Sequence, residues 1–193
     1  MEDLKNLILD KARERFDRFG YKKTTMDEIS RDCKISKKTI YELFSDKEDL
    51  FICLIIRETT IVRNIIFASI AGISDPLDKL VQLVKTAMDY FNEDNFLTRL
   101  LRADETLFSA FLSKKYHAMV RQDIVLIIAD IIVEGKKQGE FRDVDEQIVA
   151  YAGVRLFQAF SYMRTIEFSQ EKIDQGYYTN ILIDFLVNAI VRK

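Results

Sequence analysis

The chain has 193 residues, 48% of them apolar, with one proline, six glycines and a net charge of −2. So few turn formers over such a length disfavour a sandwich or barrel and favour long helices, in one domain or two small ones. A near-neutral total excludes a polybasic nucleic-acid binder, so any affinity for phosphate must come from a local cluster of charge.

From the N-terminus, Leu4, Leu7, Ile8, Ala12, Phe16 and Phe19 recur at helical spacing. They predict a first helix from about Glu2 to Phe19 with Gly20 as its stop. The opening stretch is charged throughout and does not read as a signal peptide. Thr25 with Glu28 three residues on has the spacing of a capping box, and Met26, Ile29 and Cys33 form one apolar stripe behind it. Lys34-Ile35 makes a turn. Ser36 caps a further short helix, Lys37 to Phe44, with Ile40, Leu43 and Phe44 facing inward. Asp46 with Asp49 starts the next helix. Two short helices around a tight turn make a helix-turn-helix. Such a unit sets the N-terminal end of its second helix in a DNA major groove, with the first helix across the backbone.

That N-terminal end is Lys37-Lys38-Thr39, with Tyr41 one turn along. Lysine can bond guanine O6 and N7 or a phosphate, a threonine methyl can meet a thymine methyl, and a tyrosine hydroxyl can donate to phosphate. Cations there oppose the helix dipole, a choice that stability alone does not explain. Between residues 18 and 41 seven basic residues (Arg18, Lys22, Lys23, Arg31, Lys34, Lys37, Lys38) face three acidic ones (Asp27, Glu28, Asp32). The cluster coincides with the helix-turn-helix, which raises phosphate binding above a merely solvated face.

As an ordered set, Phe16, Phe19-Gly20-Tyr21, Thr24-Thr25-Met26, Ile29, Ile35 to Tyr41, Phe44 and Lys47 to Leu50 resemble the DNA-binding domain of the TetR family of bacterial transcriptional regulators. The resemblance covers residues 4 to 51, about a quarter of the chain. It implies an all-α protein of about nine helices. An N-terminal helix-turn-helix domain (1–46) would precede a helical ligand-binding and dimerisation domain (47–193). Lys37, Lys38 and Thr39 are the candidates for base edges, and Thr25, Ser36, Tyr41 and Lys47 for phosphate. One departure stands out. The family usually has glycine in the turn, where this chain has Lys34; a left-handed backbone there costs lysine roughly 1 kcal/mol.

The fourth helix is expected from Lys47 to about Ala71, packing first on the small N-terminal core and then in a larger one. Asp75-Pro76 reads as N-cap and first residue of a fifth helix running to about Phe91. Asn92 to Asn95 is a polar break. From Phe96 to Lys137 the chain is helical in two or three pieces, with Ser113 a possible cap and Gly139 the end. Asp143-Val144-Asp145 lacks the glycine and glutamate of a calcium loop and reads as a helix cap. Two last helices follow, from about Glu146 to Ile166 and from about Glu171 to Val191. Their apolar surface is wider than one stripe and needs partners on two sides.

The resembled family keeps its effector pocket in the aromatic central region, which makes Phe91, Leu100, Phe108, Phe111, Tyr116 and Phe157 candidates for a ligand lining; the same residues would also make a dry core. It uses the last two helices as a four-helix dimer interface, which here would involve Phe160, Met163, Ile181, Phe185 and Ala189; interior helices of a monomer are the alternative.

The sequence has no glycine-rich phosphate loop, no HExxH and no GxSxG, and its single His (His117) and two spaced cysteines are too few for a zinc site or a histidine-based triad. No enzyme activity, metal or cofactor is expected. The absence of a CxxC pair fits a reducing cytosol. The apolar runs at 61–73 and 124–133 are too short and too interrupted to span a bilayer. The expected function is a dimeric, sequence-specific transcriptional regulator in the cytoplasm. It would act as a repressor released from a palindromic DNA operator by a small apolar or aromatic effector. The competing readings are an all-helical protein-interaction module that keeps the shape without reading DNA, and a small helical enzyme.

Overall fold

A computed structural model describes residues 2–92, 94–103, 121–161 and 175–192. Helices in these segments are α1 (Glu2–Lys23), α2 (Met26–Asp32), α3 (Lys37–Leu43), α4 (Lys47–Ile70), α5 (Pro76–Tyr90) and α6 (Phe96–Ala103). They continue as α7 (Arg121–Gln138), α8 (Glu146–Ser161) and α9 (Gln175–Ile190). The described residues contain no strand, only one isolated antiparallel bridge between Phe141 and Val191.

Side-chain caps delimit these helices. Thr25, Ser36, Asp46 and Asp75 each accept a bond from the backbone N–H three residues on. Asp145 does the same at α8, accepting from the backbone of Gln147 at 3.1 Å and Ile148 at 2.9 Å. Each cap satisfies a helix-end N–H that would otherwise lack a partner. Pro76 occupies the first turn of α5 as expected.

The first helix differs from expectation at its end. Gly20 does break it, with φ 79° and ψ 162°, but one more turn follows and carries α1 to Lys23. The buried Thr24 hydroxyl donates to the Gly20 carbonyl at 2.9 Å and closes that turn. Phe19, placed on the inner stripe by spacing, is instead 45% exposed, with the guanidinium groups of Arg15 and Arg18 over its ring at 5.6 and 5.0 Å. The break at Gly20 follows it directly.

α1, α2 and α3 pack around Ile8, Ala12, Phe16, Met26, Ile29, Cys33, Ile40 and Phe44, all buried. The same apolar cluster runs on along α4 through Leu54, Val62 and Ile70 and takes in Phe96, Leu97 and Leu100 of α6. Burial of this continuous surface, at about 25 cal/mol per Å², is the main stabilising term. α5 packs on α4 and α7, and α7 packs on α8, which also meets α9.

α1 and α6 are fastened at two points. Arg99 makes a two-pronged pair with Asp17, at 2.9 and 2.7 Å. The Arg13 guanidinium lies 5.0 Å from the centroid of the Phe96 ring. Its Nε also meets Glu58 of α4 at 3.2 Å. Glu58 is only 6% exposed, and Arg57 reaches its other oxygen at 3.3 Å. A carboxylate buried this deeply persists because cations meet it.

Candidate nucleic-acid interface

The unit formed by α2, its turn and α3 is held in shape by local bonds. Thr25 and Glu28 form a complete capping box: the Glu28 carboxylate accepts from the Thr25 backbone N–H at 2.9 Å and from its hydroxyl at 2.8 Å, and Thr25 Oγ1 accepts from the Glu28 N–H at 3.3 Å. The bond from the Thr25 hydroxyl, then that from its backbone, holds the Glu28 carboxyl below the usual carboxylate range. Arg15 of α1 lies 3.3 Å from Glu28 and grips Asp32 through two nitrogens, at 2.5 and 3.1 Å. Its hydrogen bond lowers the pKa of Asp32, and that of Arg15 rises in return. α1 thereby clamps both ends of α2.

The turn itself is left-handed at Lys34, whose φ is 55°. The Lys34 N–H bonds the Arg31 carbonyl and the Ile35 N–H bonds the Ser30 carbonyl, both at 3.0 Å. This is the Schellman pattern that ends a helix, and glycine is its usual residue at the left-handed position. Lysine occupies it here without a change in the bonding.

Ser36 then caps α3, accepting from the Thr39 N–H at 3.1 Å, and its hydroxyl lies 2.8 Å from that of Thr39. Lys37 and Lys38 project from the first turn of α3 with side chains 68% and 87% exposed. Tyr41 is half exposed one turn on. The sequence-predicted residues Thr25, Ser36, Lys37, Lys38, Thr39 and Tyr41 are therefore brought together at the capped starts of α2 and α3.

Lys47 is arranged differently. Its ammonium donates to the carbonyls of Tyr21 at 3.0 Å and Thr24 at 2.9 Å and sits 4.4 Å from the centroid of the Tyr21 ring. Burial lowers its pKa. Lys47 therefore ties the start of α4 to the 21–24 link, beside the Thr25 cap.

Sequence reasoning missed two residues of this face. Asp27 of α2 forms an ion pair with Lys37 of α3. Glu42, one turn beyond Lys38 on the same helix, lies 3.8 Å from it. The second pair has the i, i+4 spacing that sequence can signal. The first joins two helices across the turn and has no such signature.

Of the residues expected to line an effector site, Phe91 and Phe157 meet edge to face with ring centroids 5.6 Å apart. Leu100 is buried in the main core. Phe108, Phe111, Tyr116 and the sole histidine His117 lie outside the described residues, as does Ser113. Of the expected dimer residues, Ile181 and Phe185 are 40% and 58% exposed, Phe160 and Ala189 are partly buried, and Met163 lies outside the described residues. α8 adds exposed Ile148 and Tyr151, and α9 adds Tyr177. Among the described residues no helix is long and apolar enough to cross a membrane, and no three His, Cys, Asp or Glu side chains group as metal ligands.

Two family models match the chain. Residues 8–53 match that of bacterial regulatory proteins of the tetR family, and residues 74–161 match a tetracyclin repressor-like C-terminal domain. Over 162 residues, 83% of each chain, the sequence is 26% identical to YhgD, an HTH-type transcriptional regulator of Bacillus subtilis (strain 168). The fold is similar to that of a transcriptional regulator from Saccharomonospora viridis solved with choline, with a TM-score of 0.80, 21% identity and full coverage of both chains. It is also similar to AibR solved with isovaleryl coenzyme A and operator DNA, with a TM-score of 0.69 and 17% identity over 95% of this chain and 98% of that one.

Proposed function

The chain belongs to the TetR family of bacterial transcriptional regulators, and from that membership we propose that it works as a dimeric repressor released from a palindromic operator by a small effector. Being a DNA-binding regulator, it is not an enzyme, and the interaction-module reading loses its support. The observation that carries the proposal is the rigid, doubly capped α2–turn–α3 unit, which presents Lys37 and Lys38 on its open side. Lys37, Lys38 and Thr39 read base edges, while Thr25, Ser36 and Tyr41 hold phosphates. Lys47 serves the phosphate contact indirectly, by fixing the link that carries Thr25.

Dimerisation is supported by the exposed apolar residues of α8 and α9, Ile148, Ile181 and Phe185 among them. Two copies of one reading head related by a twofold axis match a palindrome whose half-sites lie about 34 Å apart. The N-terminal unit (1–46) reads DNA, and the remainder (47–193) pairs the subunits and takes the effector. The neighbouring regulators solved with choline and with isovaleryl coenzyme A support a small organic effector, and the Phe91–Phe157 ring pair favours one with an apolar or aromatic part. An effector that binds the DNA-incompetent arrangement more tightly weakens DNA binding by the same affinity ratio. Such a protein works in the cytoplasm, where its operator is.

Selection of bound sequences from a random DNA pool tests the reading, with affinity then followed against salt. Enrichment of a palindrome with a steep salt dependence is expected. A pool that stays random after repeated rounds, with and without candidate effectors, would sink the proposal.

A further inference from the structure

Lys37 is the first residue of α3 and its side chain is 68% exposed. Asp27, ten residues earlier on α2, meets its ammonium across the turn, and the carboxylate is itself 44% exposed. The Asp27 main chain is anchored too, since its carbonyl accepts from the Ser30 hydroxyl at 2.9 Å and from Arg31 Nε at 3.3 Å. A flexible four-carbon side chain, otherwise free to sweep the surface, is thus tethered to a fixed point on the preceding helix. An ammonium has three N–H donors. One carboxylate oxygen takes one, and two remain for acceptors in a groove.

We infer that Asp27 is a positioning residue that makes Lys37 a reader of base edges and keeps it from serving as a general phosphate anchor. Two physical effects act in the same direction. Holding the ammonium in place removes part of the ordering cost that a mobile lysine meets on binding. The benefit appears only where a base acceptor lies at the fixed point. The paired carboxylate also cancels the charge with which Lys37 would attract any phosphate, which lowers affinity for DNA of random sequence. This inference rests on the DNA-reading proposal above and adds to it an acidic residue that bonds no DNA itself.

The test compares the full-length wild type with Asp27→Asn, Lys37→Ala and the double variant. Each is assayed for binding to its selected operator and to a random duplex over a range of salt. Asparagine keeps the size of Asp27 but not its charge. Asp27→Asn is expected to bind random DNA more tightly, by up to about fivefold for a pair this exposed, with no gain for the operator. Its random-DNA salt slope steepens by about one counter-ion. Preference at one base pair of each half-site relaxes. In the Lys37→Ala background the Asp27→Asn change leaves the ratio of operator to random affinity as it is.

A lower melting temperature with both DNAs affected equally would reduce Asp27 to a stabiliser of the α3 start and overturn the inference. An equal loosening with and without Lys37 would also overturn it, because Asp27 would then act only through its long-range field. If the wild type itself enriches no sequence, the DNA-reading proposal fails and takes this one with it. If the wild type enriches an operator while Asp27→Asn discriminates as well as before, this inference fails alone.

Discussion

Lys34→Gly isolates the backbone cost of the helix-turn-helix. Lys34 holds φ at 55° while both Schellman bonds, at 3.0 Å, stay in place. A residue with a Cβ in this region is disfavoured by about 1–2 kcal/mol. Glycine removes that strain but restores freedom to the unfolded chain, worth about 0.5–1 kcal/mol in the opposite direction. The lysine side chain is exposed, so its loss takes little packing away. The central values leave a gain of about 0.75 kcal/mol, or about 2–3 °C in Tm for a chain of this size. Differential scanning calorimetry of wild type, Lys34→Gly and Lys34→Ala measures it. Alanine keeps the Cβ and loses the charge, so it separates backbone relief from relief of repulsion among Arg31, Lys34, Lys37 and Lys38. The reasoning is refuted if glycine leaves Tm unchanged or lower, or if alanine raises it as much.

Tyr41→Ala is expected to weaken cognate and random DNA by similar factors in a gel-shift or anisotropy titration, whereas Lys38→Ala relaxes preference at one base pair by about 1–3 kcal/mol; equal loss on all sequences would remove Lys38 from the base-reading set. The Arg15–Asp32 clamp has a pH signature. The folded-state pKa of Asp32 is lowered, so its contribution to stability is complete above the unfolded value of about 3.9 and is lost as pH falls through the folded value. The difference in urea midpoint between wild type and Asp32→Asn should therefore be constant from about pH 5 to 7 and shrink below about pH 4; a constant gap down to pH 3 would mean that Asp32 does not act as a carboxylate. Phe185→Glu puts a charge at the one phenylalanine of α9, which is 58% exposed, and is expected to shift sedimentation toward the monomer, with an unchanged far-ultraviolet spectrum. A dimer that persists at micromolar concentration would move the interface elsewhere.

Much of the α2–turn–α3 unit was legible because its determinants are local. Thr25 with Glu28, Ser36 with Thr39 and Asp46 with Asp49 are each three residues apart, so the chain carries the bond in its spacing. The left-handed Lys34 was legible for the same reason, since a Schellman turn spans six residues. Contacts that depend on packing were not. Lys47 has the sequence position of a phosphate ligand, yet it turns back under Tyr21, 26 residues earlier. Asp27–Lys37, Arg15–Asp32 and Arg99–Asp17 join separate helices, and no periodicity within one helix could pair them. Glu58 was hidden in the apolar run of α4 because its partner Arg13 comes from another helix.

The double fastening between α1 and α6 has a mechanical consequence. Arg13 and Asp17 are one turn apart on α1, and their mates Phe96 and Arg99 are one turn apart on α6. A single contact would behave as a ball joint, letting one helix swivel while the other stayed still. Two contacts spaced along both axes resist a change in the angle at which the helices cross. A tilt of α6 against α1 is therefore opposed at both points, and the Arg15 clamp joins α1 in turn to α2, the helix from which Asp27 holds Lys37.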